Sequence, residues 1–139
     1  MKRATILMAD DSATVRTQLR QALEGQGHEV LLACDGREAV LKMQEKLPDL
    51  AILDITMPEL DGYEVCQQIK RMGPPWSRVP IIFLTSCTSH ALELLGEQWG
   101  AYVPKPVSDK RLLEVSSALL ARADGDEAPA NVSEPAASV

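Results

Sequence analysis

With 139 residues the chain has room for one domain and one core. Hydrophobic residues make up 45%, enough to fill that core, and with aromatics at only 4% the filling must be mostly aliphatic. The net charge of −6 argues against a nucleic-acid-binding domain, which needs a basic face to offset phosphates.

Short apolar runs alternate with amphipathic stretches along the chain. Ala4 to Ala9 is a first run, and it stops at two acids, Asp10 and Asp11. Val15, Leu19, Ala22 and Leu23 then follow helical spacing, with Ser12 as N-cap and Gly25 or Gly27 as the stop. Glu29 to Ala33 is a second run, followed by the stripe Ala39, Val40, Met43 and Leu47, which Pro48 closes. Leu50 to Leu53 ends at Asp54. Asp61-Gly62 is turn chemistry, with Asp61 the N-cap of a third helix through Val65, Cys66, Ile69 and Met72 that Gly73-Pro74-Pro75 ends. Pro80 to Leu84 ends at Thr85. Leu92, Leu95 and Trp99 form a fourth helical stripe, weakened by Gly96 inside it. A short fifth run, Ala101 to Val103, precedes Lys105, and a fifth helix through Leu112, Leu113, Ser116, Leu119 and Leu120 starts from Ser108 or Asp109.

A strand followed by a helix, five times over, defines an α/β fold. Parallel strands need crossovers and helices make them, so the expected architecture is a doubly wound five-stranded parallel sheet. From about residue 123 the composition changes. The stretch 123–139 holds four acids, no basic residue and no bulky apolar residue except two valines. It cannot bury enough surface to fold, so residues 1–122 are the expected domain and 123–139 a disordered acidic tail or the start of a linker.

Cys34, Cys66 and Cys87 are scattered, and His28 and His90 stand alone, which argues against a zinc site or disulfide framework. The thiols read as small, partly buried groups in a reducing compartment. No apolar run approaches the roughly 20 residues a membrane helix needs, and no charged-then-apolar leader is legible, so the protein is expected in the cytoplasm, away from membrane.

In a doubly wound sheet, ligands bind at the carboxyl ends of the strands. Asp10 and Asp11 stand there on the first strand, Asp54 on the third, Thr85 on the fourth and Lys105 on the fifth. Taken singly, each has a plain structural reading: a turn or cap for the two acids, a solvated lysine, a strand-end threonine. Gathered at one edge, three carboxylates repel one another unless a cation intervenes. All-oxygen ligation points to a hard ion, and Mg²⁺ suits few carboxylates and several waters. Carboxylates, Mg²⁺, a lysine and a hydroxyl make a phosphoryl-transfer site, in which an Asp carboxylate can itself be the nucleophile.

On these residues the chain resembles the receiver domain of two-component response regulators, the flavodoxin/CheY-like (βα)5 fold. The matching pieces are Asp10-Asp11, the segment Asp54-Ile55-Thr56-Met57-Pro58-Glu59-Leu60-Asp61-Gly62, Thr85-Ser86 and Lys105-Pro106, with 43 residues from Asp11 to Asp54, 31 on to Thr85 and 20 on to Lys105. Each motif alone is weak, but the ordered set is specific, and it spans roughly residues 4–121. The resemblance implies that Asp54 is the phosphoacceptor and a metal ligand, Asp11 a direct Mg²⁺ ligand, Asp10 a ligand mainly through water, and Thr56 a ligand through its carbonyl. It further implies that Lys105 pairs with a phosphoryl oxygen across a cis bond to Pro106. Thr85 turns its hydroxyl to the phosphoryl group, and Tyr102 swings inward with it as the aromatic switch.

The implied function is that of a phosphorelay receiver. It takes a phosphoryl group from a phosphohistidine of a histidine kinase or histidine phosphotransfer protein. It then changes affinity for an output protein, or for a second copy, through the face made by the fourth helix, fifth strand and fifth helix. It is not an enzyme in the ordinary sense, catalysing only its own phosphorylation and a slow dephosphorylation. The resemblance implies that the residues two after Asp54 and two after Thr85 tune the acyl-phosphate lifetime; here they are Thr56 and Cys87, which bring no carboxylate or amide to orient water, so a moderately slow decay is expected. Two departures from the family pattern stand out: the loop before Tyr102 is about two residues short, with Pro104 in the strand, and Ser86 replaces a smaller residue. The expected form is a stand-alone receiver. Alternatives are a receiver fragment of a longer regulator or hybrid kinase, and a scaffold that is never phosphorylated. An aspartate-nucleophile phosphatase would carry DxDxT after the first strand, where this chain has DDSAT. A nucleotide-binding module would carry a Gly-rich or Ser/Thr-rich loop there.

Overall fold

A computed structural model describes residues 3–85 and 100–123. Its strands are β1 (Thr5–Ala9), β2 (Glu29–Ala33), β3 (Leu50–Asp54), β4 (Ile81–Thr85) and β5 (Gly100–Pro104). Its helices are α1 (Ala13–Glu24), α2 (Gly36–Lys46), α3 (Gly62–Arg71) and a C-terminal helix, Asp109–Ala123, with a 3-10 turn at Trp76–Arg78. All five strands are parallel in one sheet, ordered β2-β1-β3-β4-β5. The fourth predicted helix and its residues Leu92, Leu95, Gly96 and Trp99 lie outside the described residues, as do Ser86, Cys87, His90 and positions 124–139.

Every residue of β3 and β4 is buried, which is why their sequences run apolar without alternation. Side chains still alternate between the two faces, with period two. On one face Leu7, Leu53 and Phe83 meet Met43 of α2 and Val65 and Ile69 of α3. On the other Ile6, Ile52 and Leu84 meet Leu19 and Leu23 of α1 and Leu112 and Leu119 of the C-terminal helix. Two faces covered by helices make the doubly wound arrangement that the alternating pattern implies.

The helix ends follow local chemistry. Ser12 caps α1, its hydroxyl accepting from the Val15 N–H at 3.3 Å. Asp61 and Glu64 form a capping box on α3, two orphan donors satisfied reciprocally. The cap of α2 is Asp35, which accepts from the Glu38 N–H at 2.8 Å. That helix ends with Leu47 in the left-handed region at φ 46°, just before Pro48. The Ser108 hydroxyl accepts from the Arg111 N–H at 3.2 Å, so Ser108 starts the C-terminal helix. Trp76 anchors its loop by donating to the Met43 carbonyl at 3.0 Å. Among the described residues two X-Pro bonds are cis, Pro74-Pro75 and Lys105-Pro106.

At the amino edge of the sheet, buried His28 accepts the Ala4 N–H on Nδ1 at 3.1 Å, which requires the neutral ring. Burial holds its pKa below the ordinary value of 6.5, against a smaller opposing pull from Asp49. Because the folded pKa lies below the unfolded one, this group's contribution is whole above about pH 6.5 and shrinks as pH falls from there toward the folded value. Denaturant melts at pH 7.5 and pH 5.5 should show native stability falling by about 1 kcal/mol more than that of His28→Phe, since one acceptor is lost on protonation. Equal losses in the two proteins would refute this.

Candidate functional site

Strand order reverses between β1 and β3, which leaves a crevice at their carboxyl ends. Asp10 follows β1 directly and Asp54 is the last residue of β3, so register alone brings these two carboxylates side by side. Both are buried, at 0% and 3% exposure, while Asp11 opens to solvent. One oxygen from each of Asp10, Asp11 and Asp54 falls within 4.8 Å of the others.

Lys105, just after β5, is half-buried and reaches across β4. Its Nζ lies 3.0 Å from Asp10 Oδ2 and 3.2 Å from Asp54 Oδ2. The Lys105 N–H donates to the Thr85 carbonyl at 2.8 Å, continuing the β4–β5 ladder one residue and setting where the side chain begins. Burial by itself would lower the Lys105 pKa, but its bonds to Asp10 and Asp54 and their charges outweigh this and raise it. Burial first, and then the charge of Asp10, push the Asp54 carboxyl up, only partly opposed by Lys105 and by the Thr56 N–H donating to Oδ1 at 3.2 Å. Of the three clustered carboxylates, Asp10 and Asp54 share one ammonium and Asp11 has no ion pair with it. That deficit, the all-oxygen donors and the opening at Asp11 fit a hard divalent cation.

Thr85 ends β4 buried, and Tyr102 in mid-β5 pairs in register with Phe83. By strand alternation Thr85, Phe83 and Tyr102 share one face of the sheet. Thr56 lies two residues past the end of β3 and is exposed. The structure thus brings Asp10, Asp11, Asp54 and Lys105 together at the strand ends. Thr85 and Thr56 end or follow the neighbouring strands, and Tyr102 stands deeper on β5.

Sequence reasoning passed over the flank of this cluster. Arg16 of α1 donates from Nη1 to the Asp10 carbonyl at 2.8 Å. Glu38 of α2 accepts the Cys34 N–H at 2.8 Å, and that bond is the main cause that holds its carboxyl low, with Lys42 and Arg16 adding to it. In sequence Arg16 is one more charge on the polar side of an amphipathic helix. Its position four residues after the cap Ser12 is the one available signal. Of the thiols, Cys34 is exposed and Glu38 raises its pKa, whereas burial pushes Cys66 up to about 11. Neither joins the carboxylates in the candidate cation cluster.

A doubly wound sheet with an acidic triad and one lysine at its switch point defines a CheY-like receiver. The chain belongs to the response regulator receiver domain family, whose model matches residues 6–117. It is 41% identical over 126 residues to Response regulator MprA of Mycobacterium sp. (strain KMS), covering 89% of this chain and 54% of that protein. The chain thus spans about half the length of the curated relatives it matches. Among solved structures it is similar to chemotaxis protein CheY4 of Vibrio cholerae (TM-score 0.77, 32% identity, 85% of this chain and 99% of that one). It is also similar to a response regulator receiver domain protein from Clostridium thermocellum (TM-score 0.78, 30% identity, 87% and 97%). Receivers of this family are phosphoacceptors of two-component signalling and not ordinary enzymes. Among the described residues no helix is long and apolar enough to cross a membrane.

Proposed function

We propose that Asp54 is the phosphoacceptor of this receiver, with Mg²⁺ held by Asp10, Asp11, Asp54 and the carbonyl of Thr56. The observation that carries this is the charge deficit at the crevice: three carboxylates, each with an oxygen within 4.8 Å of the others, where one ammonium pairs with Asp10 and Asp54 and the Arg16 guanidinium stands only at the flank. An Asp54 oxygen attacks the phosphorus of a phosphohistidine on a histidine kinase or phosphotransfer protein. The P–N bond breaks and its electron pair returns to the imidazole. Bound Mg²⁺ supplies charge neutralisation on the phosphoryl oxygens. Lys105, already aimed at Asp54 Oδ2, exchanges that carboxylate for a phosphoryl oxygen. The product adds close to two negative charges in a tight pocket. Thr85 and Tyr102, on one face of β4 and β5, are the groups that respond, and an output protein or second copy reads the surface beyond them. The working compartment is the cytoplasm. The acidic balance of the chain argues against a basic face for nucleic acid, so any DNA contact would be made by other segments of a longer regulator.

Intact-mass analysis after incubation with acetyl phosphate and Mg²⁺ tests this. One phosphoryl adduct is expected on the native chain, with none under EDTA and none on Asp54→Asn. An adduct on Asp54→Asn, or none on the native chain with donor and metal both present, would sink the assignment. Thr56 and Cys87 give no group to orient an attacking water, so self-dephosphorylation should be slow. Thr56→Asn should speed loss of the adduct severalfold in the same assay; an unchanged decay would remove Thr56 from the account.

A further inference from the structure

Asp10 is held through its backbone and one carboxylate oxygen by hydrogen bonds, and through the other oxygen by the ion pair with Lys105 alone. Its N–H donates to the Ala33 carbonyl at 3.2 Å, the last rung between β1 and β2. Its Oδ1 accepts the Ser12 N–H at 2.9 Å, and its Oδ2 faces Lys105 at 3.0 Å. Its carbonyl accepts from one side chain, Arg16 Nη1, at 2.8 Å. Arg16 comes from α1, on one face of the sheet. Glu38 comes from α2, on the other, and holds the N–H of Cys34 just past β2. Between them they satisfy backbone groups at the ends of the two neighbouring strands, where the sheet ladder has run out of partners.

This arrangement leaves Asp10 little rotational freedom. The peptide plane between Asp10 and Asp11 carries that carbonyl, so holding it also sets the direction in which Asp11 leaves the strand. The plane is gripped by a half-buried guanidinium on a capped helix, a firmer hold than water gives. Its positive charge works the other way. A cation at the flank of a metal site lowers that site's affinity for another cation. Geometry and charge therefore predict opposite signs for its removal.

We infer that Arg16 is a positioning residue for the divalent-cation site: by clamping the Asp10 carbonyl it aims the Asp10 and Asp11 carboxylates at one point. The inference rests on the Mg²⁺ reading above and deepens it. Groups that orient a metal ligand typically change metal affinity by 10-fold or more when removed, and the same is expected here.

The test is Mg²⁺ titration of the unphosphorylated full chain by calorimetry, with thermal melts in EDTA on the same samples. Arg16→Met keeps the stem and removes the donors, and it should weaken Mg²⁺ binding about tenfold. Arg16→Lys, with one donor, should recover part of the affinity. A role in folding alone would lower the melting temperature of Arg16→Met in EDTA and leave Mg²⁺ affinity unchanged. Unchanged or tighter Mg²⁺ binding by Arg16→Met overturns the proposal, tighter binding meaning that only the charge is felt. Failure of the native chain to bind Mg²⁺ at all overturns the metal reading itself, and is told apart because no variant is then needed to see it.

Discussion

Asp54→Asn is expected to be more stable than the native chain in EDTA, by about 1–3 kcal/mol, although it removes the proposed phosphoacceptor. Asp54 is almost fully buried beside Asp10, and burial and that neighbouring charge both disfavour its ionised form. Asparagine has the same shape and can still accept from the Thr56 N–H. Lys105 keeps its contact with Asp10 at 3.0 Å, so the substitution relieves repulsion without stranding the ammonium. The sign with pH follows. Asp54 has a folded pKa above its ordinary 3.8, so the native penalty is whole above the folded value and is relieved as pH falls through it toward 3.8. The gap between the two proteins should therefore close in acid. Millimolar Mg²⁺ should stabilise the native chain by mass action and Asp54→Asn much less, narrowing or reversing the order. Melts in EDTA and in Mg²⁺ at pH 7.5 and pH 4.5 read all of this at once. A less stable Asp54→Asn in EDTA would mean that the carboxylate cluster is not strained, and the case for a cation would lose its physical basis.

Gly36→Ala is expected to cost about 3 kcal/mol or more, a large share of a small domain's total. A methyl group at Gly36 would be driven into the carbonyl oxygen and Cβ of Leu60, in the loop between β3 and α3. The Gly36 N–H also donates to the Pro58 carbonyl at 3.4 Å, so the start of α2 is seated directly on that loop. The same loop holds Glu59 in the left-handed region at φ 72°. Gly62 behaves similarly, since a Cβ there would come within 2.6 Å of the Asp54 carbonyl oxygen. Gly25→Ala is the control. Gly25 sits in ordinary helical conformation at φ −64°, and an added methyl would meet nothing closer than 3.3 Å, so the change should fall within about 1 kcal/mol. Urea denaturation of the three variants decides it. A mild effect at Gly36 would show that the α2 seat can yield, and that the loop is not fixed by it.

The strands, and the helices within the described residues, were legible because each has a pattern tied to its own geometry. Leu50 to Leu53 and the run ending at Leu84 are continuous apolar stretches, as central strands covered on both faces must be. Ser12 and Asp61 declared two helix starts through capping chemistry that acts over three residues. Asp35 does the same for α2 and carried the same signal, a short acid before the stripe that begins at Ala39, yet it was not singled out. Strand ends slipped by a residue, as with β4 ending at Thr85, because the ladder and not the side chain fixes the end.

The sequence by itself determined the architecture, the order of the chemical groups and their assignment to strand ends, because periodicity and turn chemistry are local. It could name Asp10, Asp11, Asp54, Thr85 and Lys105 as candidates for one crevice. Only the tertiary structure decided that Lys105 touches both Asp10 and Asp54, that of the three clustered acids Asp11 is the one facing water, and that Thr85 and Tyr102 share a sheet face. It also decided that Arg16 holds the Asp10 carbonyl and that Gly36 abuts Leu60. Those facts depend on register and on helix placement between elements far apart in the chain. A charge on a polar helix face or a glycine at a helix start reads the same whether or not another element's backbone lies against it.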